Sequence, residues 1–216
     1  MEPTDGANLA LYLTNSTGKC PLTVGHATLP RSFFPDLSRQ HNIDLPIEDE
    51  WNNQNESCSF WYASDSTTPW AHTRKCIIGR DIDAAIGNIL TSSSNSRPLA
   101  CEISVDSARS LPPPIPLQEY SIQTPSRAIP CEIESDLGMA DYQIWLDPVT
   151  HVPVYHEVLC AVLKPRPGHT LPEHGDSGSL VSDSRGNPAG MLIAAGFGQE
   201  GVAICSPLPL VASTLF

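Results

Sequence analysis

Proline sets the first limit on this chain. The 216 residues include 21 prolines, and a proline inside a helix removes a backbone hydrogen bond and clashes with the preceding turn. Little room is left for long helices. Between the prolines, short runs rich in Val, Ile, Leu and Tyr recur, bounded by clusters of Gly, Ser and Asn, which is the pattern of strands and turns. The expected class is all-β. The densest run, LPPPIP at 111–116, suits neither a helix nor a central strand. It divides the chain into a unit over 1–110, a linker over 111–117 and a second unit over 118–216.

In the first unit, residues 8–14 and 20–25 read as strands on either side of a polar turn from Asn15 to Lys19. Residues 31–72 are polar and acidic and read as a surface insertion, with a short hairpin expected at SCSFWYAS. A further strand is expected in CIIGRDIDAAIGNIL and another near ACEISV. The second unit offers six strand-like segments, AIPCEIES, DYQIWLD, VPVYHEVLCAVL, SGSLVSD, PAGMLIAAG and GVAICSP. That number suits a small antiparallel barrel.

Charge and cysteine usage narrow the function classes. The formal net charge is -12, from 12 Lys and Arg against 24 Asp and Glu, so a phosphate backbone or an anionic lipid surface is repelled. Neither nucleic acid nor membrane is an expected partner. The seven cysteines include no Cys-x-x-Cys pair, which leaves no zinc or thioredoxin-like signature, and their odd number leaves at least one thiol unpaired. No stretch has membrane-spanning length, and the N-terminal apolar run is too short for a signal peptide. The expected compartment is the cytoplasm. The sequons at Asn15 and Asn55 belong to the alternative, a secreted chain. Nothing in the sequence speaks to an oligomeric state.

The chemistry concentrates in His174-Gly175-Asp176-Ser177-Gly178-Ser179-Leu180-Val181. A specified GDSGS pentamer arises by chance about once in several thousand chains of this length. A nucleophilic serine needs a tight turn that exposes its hydroxyl, and flanking glycines permit both that backbone and the approach of a substrate. The amides of Gly175 and Ser177 are then placed to stabilise an oxyanion. Serine at neutral pH needs a general base. Of the seven histidines, His26 follows an apolar strand and precedes small residues in PLTVGHAT. His41, His72, His151, His156 and His169 carry no such signature, and His174 is too close in sequence to be the base but can line the cleft. The base needs a carboxylate to fix its tautomer. Asp81 and Asp83 lie two apart on one expected strand, so periodicity does not separate them. Asp83 is favoured because it opens the small apolar run AAIG.

These residues resemble the chymotrypsin/trypsin-like serine peptidases. PLTVGHAT is similar to the family's strand-then-histidine motif, Asp83-Ala84-Ala85-Ile86 to its Asp-x-Ala-aliphatic motif, and GDSGSLV to its nucleophile turn, in the family's order. GNPAGMLIAAG resembles the strand that walls the substrate cleft, with Ala194, Ala195 and Gly196 in the substrate-pairing positions. The resemblance implies two antiparallel β-barrels of the trypsin-like fold with the active site between them. It also implies His26 as general base and acid, Asp83 as orienting carboxylate, Ser177 as nucleophile, and the Gly175 and Ser177 amides as oxyanion hole. No metal or organic cofactor is implied, and the partner is a protein or peptide substrate. The family's pocket floor falls on Leu171, which implies a neutral, apolar or small residue before the scissile bond, with His174 beside it.

The chain departs from the secreted members. Ala27 and Thr28 follow His26 where those members have a cysteine, and the serine loop has none. No Ile-Val-Gly-Gly-like start exists to pair with Asp176. The resemblance is nearer to the intracellular, viral or bacterial branches, and cleavage of restricted specificity is the expectation. Two alternatives stand beside it: a catalytically silent module that keeps the fold for binding, and an esterase using the same triad on small acyl groups.

Overall fold

The computed structural model describes residues 7–28, 59–60, 70–90, 100–146, 153–197 and 201–216. Strands β1 (Leu11–Asn15), β2 (Gly18–Thr23), β3 (Ser59–Phe60), β4 (Ala71–Ile78), β5 (Asp83–Ile89) and β6 (Glu102–Ser104) form one sheet in the order β3-β4-β5-β2-β1-β6. Helix α1 (Val105–Arg109) follows. Strands β7 (Glu119–Gln123), β8 (Ala128–Ile133), β9 (Gly138–Leu146), β10 (Pro153–Pro165), β11 (Leu180–Asp183), β12 (Pro188–Phe197) and β13 (Val202–Pro207) form a second sheet. Helix α2 (Leu208–Leu215) closes the described chain. The class is all-β, as the proline and strand pattern implies.

The second sheet runs β13-β12-β11-β7-β8-β10-β9, and an added pairing of β13 with β10 closes it on itself. The length of β10 makes closure possible. Its first part pairs with β9 as far as Cys160, then Ala161–Leu163 pairs with β13 and Leu163–Pro165 with β8. Alternation is plain in β7 and β8, where Tyr120, Ile122, Ile129, Cys131 and Ile133 are all buried. They pack with Ala161, Leu163, Val181, Leu192, Ala203 and Cys205.

The first sheet buries Leu11, Leu13, Leu22, Val24, Ile82, Ala84 and Ile86. Much of its cover comes from far along the chain. In α2 the buried positions Leu208, Val211, Ala212 and Leu215 recur at helical spacing and join that core, beside Val105 and Ala108 of α1. Each large aliphatic buried this way contributes about 1.5–3 kcal/mol. Lys75 Nζ donates to the Leu215 carbonyl at 3.1 Å and satisfies one orphan acceptor at the end of α2.

Three details differ from the sequence reading. CIIGRDIDAAIGNIL is two antiparallel strands, not one, because Gly79 N donates to Ile82 O at 2.8 Å and reverses the chain. The ACEISV strand stops at Ser104, whose hydroxyl accepts from Ser107 N at 3.0 Å and caps α1. Strand β7 has no counterpart among the expected segments, since polar Glu119 and Gln123 flank only two buried residues. Of the insertion over 31–72, only β3 and residues 70–72 are among the described residues, Ala71 and His72 being the partners of β3. No helix among the described residues is long and apolar enough to cross a membrane.

Candidate active site

Strand β2 and the residues after it deliver His26. Thr28 N and Oγ1 both donate to Gly25 O at 2.9 Å, which turns the chain immediately around His26. Gly25 must lack a side chain, because a Cβ there would lie 2.7 Å from Asp83 Oδ1 and 3.0 Å from Cys76 Sγ. That space lets the carboxylate reach the backbone of His26. Asp83 Oδ1 accepts from His26 N at 2.9 Å, and Oδ2 accepts from His26 Nδ1 at 2.5 Å. With the proton on Nδ1, the Nε2 lone pair is left to act as a base.

Asp83 has 0% exposure and His26 17% at the side chain. Burial favours the neutral acid, but the charge of His26 and the hydrogen bonds from its ring, from Tyr142 and from its backbone outweigh it. The carboxyl is held below its ordinary range. Asp81 stands apart from this arrangement. It lies exposed in the turn between β4 and β5, so the alternation that left two candidates in the sequence does not extend to it.

The turn bearing Ser177 is fixed by its own backbone. Asp176 N donates to Glu173 O, Ser179 N to Asp176 O and Gly178 N to Leu192 O, at 2.8–3.1 Å. The amides of Gly175 and Ser177 have no partner among the described residues. Gly175 and Gly178 take φ values of 95° and 85°, which glycine alone adopts without strain. Asn8 then ties the turn to the first sheet. Its N donates to Ser177 O at 2.7 Å, and its Nδ2 reaches Gly175 O and Ser179 Oγ, each at 3.1 Å. Its own carbonyl accepts from Thr23 Oγ1 at 2.7 Å, on the strand that leads to His26. The structure therefore joins His26 to Asp83 directly and Ser177 to the same strand through Asn8 and Thr23. Among the described residues the Ser177 hydroxyl makes no hydrogen bond.

Beside the turn, β11 pairs with β12 from Pro188 to Met191, while β13 continues along β12 through Ala194, Ala195 and Phe197. Among the described residues, Ala194, Ala195 and Gly196 therefore have no strand partner on their other backbone edge. Leu171 is half-buried, with Cδ1 2.6 Å from where a Cβ on Gly201 would stand, so it lies at the start of β13. Its carbonyl accepts from Arg127 at 3.1 Å, and Arg127 also pairs with Glu173 at 3.2 Å. His174 is exposed. An open hollow of about 580 Å³ between Asn15, Arg109 and Phe216 contains none of these residues.

Asn8, Thr23, Gly25 and Tyr142 have no counterpart among the sequence-derived candidates. Only Gly25 carried a local signal, as the small residue preceding His26. No two of the described cysteines, Cys20, Cys76, Cys101, Cys131, Cys160 and Cys205, are joined in a disulfide. Among the described residues no cluster of three His, Cys, Asp or Glu side chains could hold a metal ion.

No family model and no curated protein matches the sequence. Solved structures do match. A glutamic acid specific serine protease superposes with a TM-score of 0.55 at 13% identity, covering 97% of this chain and 90% of its own. Nocardiopsis protease gives 0.57 at 11% identity, over 98% and 92%. An active-form protease from M. tuberculosis gives 0.52 at 14%, over 98% and 80%. With its two sheets and these superpositions, the chain has the fold of the chymotrypsin-like serine proteases, at low sequence identity to those solved structures.

Proposed function

We propose that this chain is a serine endopeptidase that works through Ser177, His26 and Asp83. The observation that carries the reading is the pairing of His26 with the buried Asp83, with the glycine-flanked Ser177 turn tied to the same strand through Asn8 and Thr23. In the proposed reaction His26 Nε2 takes the Ser177 proton as Oγ attacks the peptide carbonyl, and Asp83 stabilises the resulting imidazolium. The Gly175 and Ser177 amides receive the oxyanion, a contribution on the order of 2.7–4 kcal/mol per donor. His26 passes its proton to the leaving amine, and water then hydrolyses the acyl-enzyme by the same route. No metal or organic cofactor enters this scheme.

The edge at Ala194, Ala195 and Gly196, which no described strand occupies, favours peptides over small esters, because an extended chain can add to it through its backbone. Leu171, with its side chain against Gly201, favours a neutral, apolar or small residue before the scissile bond. Profiling on a peptide library, with Ser177→Ala as control, tests both points. Cleavage after apolar or small residues, absent in the control, is the expected result. A requirement for Arg, Lys, Asp or Glu would remove the pocket assignment. Turnover of short esters with no cleaved peptide would replace the peptidase by an esterase.

A further inference from the structure

Tyr142 belongs to the second sheet, yet its hydroxyl reaches the carboxylate delivered by the first. The side chain is fully buried, and Oη donates to Asp83 Oδ2 at 2.6 Å, on the same oxygen that accepts His26 Nδ1. Its ring lies 5.9 Å from that of His26 on one side and 5.9 Å from that of His156 on the other. The strand pair carrying it is docked on the turn before Asp83. Leu159 N donates to Arg80 O at 2.7 Å, His156 Nε2 stands 3.1 Å from Gly79 O, and Arg80 pairs with Glu157 at 2.7 Å. Tyr142 and His156 are themselves directly paired across β9 and β10.

We infer that Tyr142 is the positioning residue of the His26–Asp83 pair, its hydroxyl fixing the rotation of the Asp83 carboxylate and drawing off part of its charge. The inference rests on the peptidase reading for its catalytic consequence. The position calls for a hydroxyl as well as a ring, since phenylalanine would fill the same space and leave Oδ2 with His26 alone. Burial first, and then the charge of Asp83, hold the phenol's ionisation well above its ordinary range, so it stays a donor throughout the working pH range. The titratable groups facing it are His26, Asp83, His156 and the thiols of Cys76 and Cys160. Of these, the carboxylate alone receives its proton.

Tyr142→Phe is expected to lower kcat on a peptide substrate by about 10- to 100-fold with KM within about twofold. The undamped carboxylate attracts the imidazolium more strongly, so the acid limb of the pH–rate profile moves up by about half a unit to one unit. In an Asp83→Asn background the same change costs no more than about a further twofold, because the partner is already altered. A readout without turnover separates this inference from the reading on which it rests. The proton resonance of His26 Nδ1–H is followed against pH in native protein, in Tyr142→Phe and in protein with 3-fluorotyrosine at position 142. The expected midpoints rise in the first variant and fall in the second, whose phenol is a stronger donor of nearly the same shape. Coincident midpoints in all three would overturn the inference, whether or not the chain cleaves peptides. Absence of any peptidase activity with displaced midpoints would remove the peptidase and leave Tyr142 as the group that sets the pair.

Discussion

Asp83→Asn is expected to lower kcat on a peptide substrate by about 10⁴-fold. The reason is the number of acceptors the site requires. Asp83 accepts on both oxygens, from His26 N on one and from His26 Nδ1 and Tyr142 Oη on the other. An amide has one oxygen, so whichever way it turns its NH₂ group meets a donor. The imidazole escapes by moving its proton to Nε2, and Nε2 is then no longer a base. The same variant reports on stability. Asp83 binds its proton less readily in the folded chain than in the unfolded one, so its stabilisation is present above the unfolded value, about pH 4, and is lost as pH falls through the lowered native value. Thermal unfolding should show the native chain losing stability below about pH 4 more steeply than Asp83→Asn. Unchanged kcat, or parallel stability curves, would contradict this role.

Gly178→Ala is expected to destabilise the protein by about 2–5 kcal/mol. A Cβ there would stand 2.2 Å from Asn8 O and 2.7 Å from Thr23 Oγ1. Neither neighbour has room to yield. The Asn8 carbonyl is hydrogen-bonded to Thr23, and the Asn8 amide to Ser177. The backbone at 178 also has a φ of 85°, strained for any residue with a side chain. Gly168→Ala separates the two effects, because Gly168 has a φ of 87° but nothing within 4 Å of a Cβ. Chemical denaturation should show a cost of about 1 kcal/mol for Gly168→Ala and several times that for Gly178→Ala. Equal costs would mean that the turn is not pressed against Asn8.

Local chemistry explains what the sequence displayed. The Ser177 turn needs glycines at fixed offsets, and a histidine between an apolar strand and small residues stands out over a few positions. The fold class follows from prolines and from alternation of the kind seen at Ile129, Cys131 and Ile133. Periodicity alone did not separate Asp81 from Asp83, and the apolar run AAIG had to favour Asp83, because period-2 reasoning assumes a continuous strand and the Gly79–Ile82 hydrogen bond breaks it. Tyr142 and Asn8 had no local mark, since their partners lie 59 and 167 residues away along the chain. The apolar helix Leu208–Leu215 has the same character, because its burial is decided by the first sheet, almost the whole chain earlier.

The central claim is that Ser177 is an activated nucleophile with His26 as its base, and labelling by a fluorophosphonate probe tests it most directly. The account predicts that the native chain is labelled at Ser177 and that labelling is lost in both Ser177→Ala and His26→Ala. Labelling that persists in Ser177→Ala, or a well-folded native chain that takes up no probe, would contradict it.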